Sequence, residues 1–129
     1  MKIEYLTNTN PAYPKESILR IFDFDSTQAC QFRDILSKLA TGSVSEIDIS
    51  DLPFVTSIDG CRLILKAGMR DKGLIHVSST TFECTLTRLT WENVEGLVDP
   101  FCEGNLSDYQ WLYDLDNDIE FLFSPSGDW

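Results

Sequence analysis

The sequence predicts an α+β fold, a mainly antiparallel sheet of hairpin-connected strands with two helices packed on one face. Three observations predict it. Most apolar residues fall in short runs that alternate at period two and are separated by turn residues. Only two stretches, near residues 26–40 and 90–101, carry apolar residues at three- and four-residue steps. The strand-like runs follow one another in sequence, with just those two helices between them, as in an α+β arrangement. With 129 residues, 43% of them hydrophobic and 12% aromatic, the chain can bury a core without metal or disulfide staples. Neither an internal repeat nor a linker interrupts it, so residues 1–129 read as a single globular domain.

Lys2 to Leu6 reads as a short strand, and NTNPAYPKES after it as a loop, because its prolines and asparagines discourage regular structure. SILRIFDF is rich in β-branched and aromatic residues and reads as the second strand. A helix then starts with Asp25 or Ser26 as N-cap and runs to about Ala40. Ala29, Phe32, Leu36 and Leu39 share its inner face, and Gly42 lies just past its end. VSEIDI alternates as a strand, and PFVTSI and CRLILKA flank Asp59-Gly60, a dipeptide suited to a type I′ hairpin turn. Beyond a turn at Arg70, Asp71, Lys72 and Gly73, LIHVS and TFECTLTRL read as two more strands. Thr90 is expected to cap the second helix, with Trp91, Val94, Leu97, Val98 and Phe101 facing inward and Pro100 bending or ending it.

The last element is expected to be a hairpin of YQWLYDL and IEFLF. A three-residue loop of Asp116, Asn117 and Asp118, with one residue in the left-handed conformation, would pair Leu115 with Ile119. That register keeps Tyr109, Trp111 and Tyr113 on one face with Phe121 and Phe123.

Charge is segregated along the chain. The net charge is −11, and residues 1–88 contribute −1 of it while residues 89–129 hold ten carboxylates and no Lys or Arg. The same C-terminal third holds all three tryptophans, so it reads as a folded acidic surface and not a disordered tail. On the second helix Glu92, Glu95 and Asp99 form one stripe that Glu103 extends, and the hairpin adds Asp114, Asp116, Asp118 and Glu120. Like charges at these spacings disfavour a helix, so folding alone does not ask for the pattern. Such a surface repels nucleic acid and anionic membranes and speeds association with a cationic partner.

Ile21 to Thr27, IFDFDST, resembles the first motif of haloacid-dehalogenase-type phosphatases, an apolar strand running into DxDxT. The resemblance covers seven residues. It implies Asp23 as nucleophile, Asp25 as general acid and base, Thr27 near the phosphate and Mg²⁺ on the phosphoryl oxygens. The family's parallel Rossmann-like sheet and its later paired-acid motif are not expected here, because the remaining strands read as hairpins and Asp114 to Asp118 fall in a turn. Ser78 and Lys66 stand in the wrong order for its other two positions. Without the resemblance, the same residues read as a strand entering an N-capped helix, with carboxylates near its positive end.

Other chemistry has less support. Asp114, Asp116 and Asp118 alternate like a calcium loop, but Ile119 and Pro125 occupy the places that need Gly and Glu. His76 is the only histidine, inside a strand-like run with no catalytic motif around it. Cys30, Cys61, Cys84 and Cys102 have no CxxC spacing and read as buried free thiols. No cofactor, metal, nucleic acid or membrane span is expected, and the N-terminus lacks the apolar run of a secretory signal, which places the chain in the cytoplasm. The expected function is a non-catalytic interaction domain, inhibitor- or immunity-like, presenting Glu92, Glu95, Asp99, Glu103, Asp114, Asp116, Asp118 and Glu120 to a basic protein, with Trp111 or Trp129 as an aromatic anchor. The alternatives are a phosphatase-like enzyme using Asp23 and Asp25, and a homo-oligomeric structural subunit.

Overall fold

Two sheets and two helices make up the α+β fold in the computed structural model, which describes residues 1–7 and 17–129. In chain order the described elements are β1 (Lys2–Thr7), β2 (Ser17–Phe22), α1 (Ser26–Thr41), β3 (Glu46–Asp48), a single 3-10 turn (Ile49–Asp51), β4 (Thr56–Ser57), β5 (Arg62–Ala67), β6 (Gly73–His76), β7 (Thr81–Leu86), α2 (Arg88–Cys102), β8 (Gln110–Trp111) and β9 (Ile119–Ser124). The first sheet has the order β4-β1-β2-β9-β8 and the second β3-β5-β7-β6. All but one residue of the expected loop NTNPAYPKES fall outside the described residues. The exception, Ser17, opens β2.

Both sheets are mixed, which refines the mainly antiparallel sheet expected from sequence. The sequentially adjacent pairs β1–β2, β6–β7 and β8–β9 are antiparallel. The parallel pairs β2–β9 and β5–β7 join strands distant in sequence or separated by another strand, and no local pattern announces them. A shared plan underlies the two sheets. In the second, β3 and β5 are antiparallel, β5 and β7 parallel, β7 and β6 antiparallel, and α2 follows β7. In the first, β8 and β9 are antiparallel, β9 and β2 parallel, β2 and β1 antiparallel, and α1 follows β2. The chain is thus built from two four-strand-plus-helix units, one continuous and one divided between the two ends of the sequence. β4 is an addition on the edge of the first.

The helices pack chiefly against each other, and one buried cluster draws on both of them and on both sheets. In α1 the Asp25 side chain accepts from the Gln28 N–H at 2.8 Å while Gln28 answers the Asp25 N–H, a capping box. Ala29, Phe32, Ile35, Leu36 and Leu39 are buried, and Gly42 ends the helix in the left-handed conformation. For α2 the N-cap is Thr87 and not Thr90, so the helix starts earlier than expected. Asp71 braces this start, accepting from the Thr87 N–H at 2.8 Å and the Thr90 hydroxyl at 2.7 Å. Burial works to raise the Asp71 carboxyl, but these bonds outweigh it and hold its pKa below the ordinary value. Trp91, Val94, Val98 and Phe101 are buried, and Pro100 sits in the last turn.

Three further expectations change. Asp59 and Gly60 both have positive φ, as a type I′ turn requires, yet the segments they join do not pair with each other. β4 runs parallel to β1 in one sheet and β5 joins the other, so the turn is a crossover between sheets. In the C-terminal hairpin Trp111 faces Leu122, one residue from the expected register, and the ladder bond continues from the Leu112 N–H to the Phe121 carbonyl. Phe121, Leu122 and Phe123 are all buried, so β9 is covered on both faces beyond the exposed Glu120 and alternation constrains its register weakly. The connection then spans 112–118, with no non-glycine residue of positive φ in it. Lastly, Cys30 of α1 and Cys102 of α2 form a disulfide, while Cys61 and Cys84 are buried free thiols. Two of the four cysteines therefore depart from the free-thiol expectation. A pair that topology brings together across 72 residues leaves no spacing signal in the sequence.

Candidate functional site

The acidic hairpin is held in place by the second sheet. Gly73, at φ +71°, opens β6 with a bare backbone on which the loop rests, and a Cβ there would lie 2.3 Å from Asn117 Nδ2 and 3.3 Å from the Tyr113 ring. Asn117 Nδ2 donates to the carbonyls of Lys72 at 3.0 Å and Leu74 at 3.4 Å. The Tyr113 hydroxyl accepts from the Leu74 N–H at 3.2 Å and donates to the Ile119 carbonyl at 2.5 Å. The outer edge of β6 is thereby covered by side chains and not by another strand. Burial raises the Tyr113 phenol well above its ordinary value, so it stays protonated and keeps its donor.

This anchoring opens a cleft of about 540 Å³ between α2 and the hairpin, lined by Leu97, Gln110, Trp111, Tyr113, Asp114, Leu115 and Glu120. The volume lies within the range of about 300–1,000 Å³ usual for ligand clefts. Asp114 and Glu120 are exposed and Trp111 half-buried. Among the described residues no Lys or Arg lies within ion-pair distance of either carboxylate. The described cations that do pair take partners from the first 88 residues, as in Arg20–Glu4 and Lys66–Glu83. Asp99 is the one C-terminal carboxylate among them, 3.5 Å from Arg33 of α1.

The eight carboxylates singled out from sequence fall into two groups. Asp114 and Glu120 line the cleft, and Asp116 and Asp118 are exposed on the same loop. Glu92, Glu95 and Asp99 stand about 140–160° around the axis of α2 from Leu97. Their flank faces α1, as the Arg33–Asp99 contact and the Cys30–Cys102 bond show. Glu103 is the C-cap of α2 and exposed. Leu97, expected in the core, instead forms the helix wall of the cleft. Trp129 is 54% exposed and does not line it.

The remaining candidates have structural partners. Asp23 is exposed at φ +53° and forms an ion pair with Lys2 at 2.9 Å, whose hydrogen bond holds its carboxyl below the usual range. Asp25 is engaged as the N-cap of α1. Among the described residues no group of three or more His, Cys, Asp and Glu side chains converges to hold a metal. His76 stacks on Phe82 at 4.4 Å, and its Nε2 lies 3.2 Å from the Ser79 carbonyl oxygen. Burial pushes the Cys61 thiol up to about 11 and Cys84 higher still, so neither is an activated nucleophile.

Gly73, Tyr113, Asn117 and Leu97 were not marked as site residues by the sequence. The only signals were a glycine in a charged turn and an asparagine in an acidic loop. No protein-family model, curated protein or solved structure matches the chain.

Proposed function

We propose that the protein is a non-catalytic interaction domain, of inhibitor or immunity type, that docks a basic protein on its acidic hairpin face. One observation supports this most: a cleft lined by the apolar side chains of Leu97, Trp111 and Leu115 is also lined by Asp114 and Glu120, neither of which has a cationic partner among the described residues. Folding does not require exposed carboxylates without partners beside an apolar hollow. A cationic protein would satisfy both at once, with long-range attraction raising its association rate. The helix stripe adds to the field from the other flank of α2 without lining the cleft.

The test is calorimetric binding of octalysine, a cationic probe, to the parent chain and to two paired variants, from about 20 to about 200 mM salt. The parent affinity falls steeply with salt. Asp114→Asn with Glu120→Gln weakens it by about tenfold, as loss of two charge contacts should, and Glu92→Gln with Glu95→Gln weakens it less. Equal losses from both pairs would remove the cleft from its central place.

None of the described helices is long and apolar enough to cross a membrane. The Cys30–Cys102 bond weighs against the cytoplasmic location expected from sequence, since such bonds are rare in reducing compartments.

A further inference from the structure

We propose that the cleft is an arginine pocket, in which an arginine side chain of the partner lays its guanidinium against Trp111 and pairs with Asp114 and Glu120. The inference rests on the docking surface proposed above and adds which side chain anchors it.

The chemistry of the walls separates arginine from lysine. Leu97, Leu115 and Trp111 make much of the cleft lining apolar, and Asp114 and Glu120 add two carboxylates to it. A lysine ammonium is compact and strongly hydrated, so a largely apolar hollow removes water that one carboxylate only partly replaces. A guanidinium is planar and weakly hydrated, stacks on aromatic rings, and has five N–H donors that can serve two carboxylates together. The hollow also has room for the three-carbon stem beneath such a head. A divalent ion is a poorer match, since no three-ligand cluster converges among the described residues.

The chain already uses this chemistry internally. The Arg20 guanidinium lies 4.0 Å over the Phe22 ring while its Nε and Nη2 donate to Glu4 Oε1 at 3.0 and 2.5 Å, and its Nη1 donates to the Gly127 carbonyl. Aromatic face and carboxylate together hold one arginine there, and the cleft offers the same pair of groups without the arginine.

The experiment compares N-acetyl-arginine amide with N-acetyl-lysine amide on the unaltered chain, following backbone amide and Trp111 indole NMR signals. The arginine compound is expected to shift Trp111, Asp114 and Glu120 and to bind about two- to fivefold tighter than the lysine compound, the gain of a guanidinium–aromatic contact. Trp111→Leu should bring the two compounds to parity. Because that variant alters a half-buried side chain, the comparison on the parent chain decides first. Equal affinities there would overturn the arginine assignment and leave the basic-partner reading intact. If octalysine shifts the cleft but neither small compound does, the pocket is also overturned. If octalysine fails too, the docking surface itself falls.

Discussion

Tyr113 carries more of the site than any carboxylate, because it decides where the carboxylates stand. Its hydroxyl joins the Leu74 N–H of the second sheet to the Ile119 carbonyl of the first. Removing it leaves a donor and an acceptor without partners, which costs about 1–3 kcal/mol. Tyr113→Phe is therefore expected to lower the urea midpoint by that equivalent and to weaken octalysine binding although no charge is lost. A variant with unchanged stability and binding would show that the hairpin is positioned by other means. At this scale the sequence was most informative where the partner is local. Asp25 caps the start of α1 and Gly42 its end, each bonded to a backbone group three residues away, and Asp59-Gly60 has the positive φ angles its chemistry requires. Tyr113 and Asn117 were not legible as anchors, because their partners lie about 40 residues away on an edge that only the assembled sheets create.

Strands and helices followed from their periodicity, but strand partners did not. β1, β2, α1, β6, β7 and, apart from Leu97, the inner face of α2 lie where hydrophobic spacing puts them. Their assignment to two mixed sheets depends on the parallel pairs β2–β9 and β5–β7, which no hairpin turn specifies. β9 shows why the register differs from expectation: from Phe121 to Ser124 it is buried on both faces, and Glu120 is the one exposed residue left to fix its phase. The two helices are joined covalently as well as by packing. The Cys30–Cys102 bond closes a span of 72 residues, and closing a loop of that size in the unfolded chain corresponds to about 4 kcal/mol of stabilisation. Reduction with dithiothreitol is expected to lower the stability measured by urea unfolding by an amount of that order. Thiol titration of the denatured, unreduced protein should find Cys61 and Cys84 alone reactive. Four reactive thiols would mean that the helices are held by packing only, and would remove the argument against a cytoplasmic location.

Taken whole, the molecule has a charge distribution that its fold only partly explains. Ion pairs satisfy much of the first 88 residues, through Lys2, Arg20, Arg62 and Lys66 with carboxylates of the same region. The C-terminal third makes one such contact among the described residues, Arg33–Asp99. Of the net charge of −11, −10 thus falls in residues 89–129, where it opposes itself. The sequence made the segregation visible but suggested a single acidic face, because Glu92, Glu95 and Asp99 are near the hairpin acids in number. The turn of α2 separates them, sending the stripe toward α1 and Leu97 toward the hairpin. The division of one structural unit between the two chain ends brings this about, since it returns β8 and β9 to the first sheet with α2 alongside. The most direct test of the central claim is an NMR shift map of octalysine on the intact chain at low salt. The account predicts that the largest shifts fall on Leu97, Trp111, Asp114, Leu115 and Glu120 and fade as salt is raised. Shifts centred on Glu92, Glu95 and Asp99, or spread evenly over all the carboxylates, would contradict it.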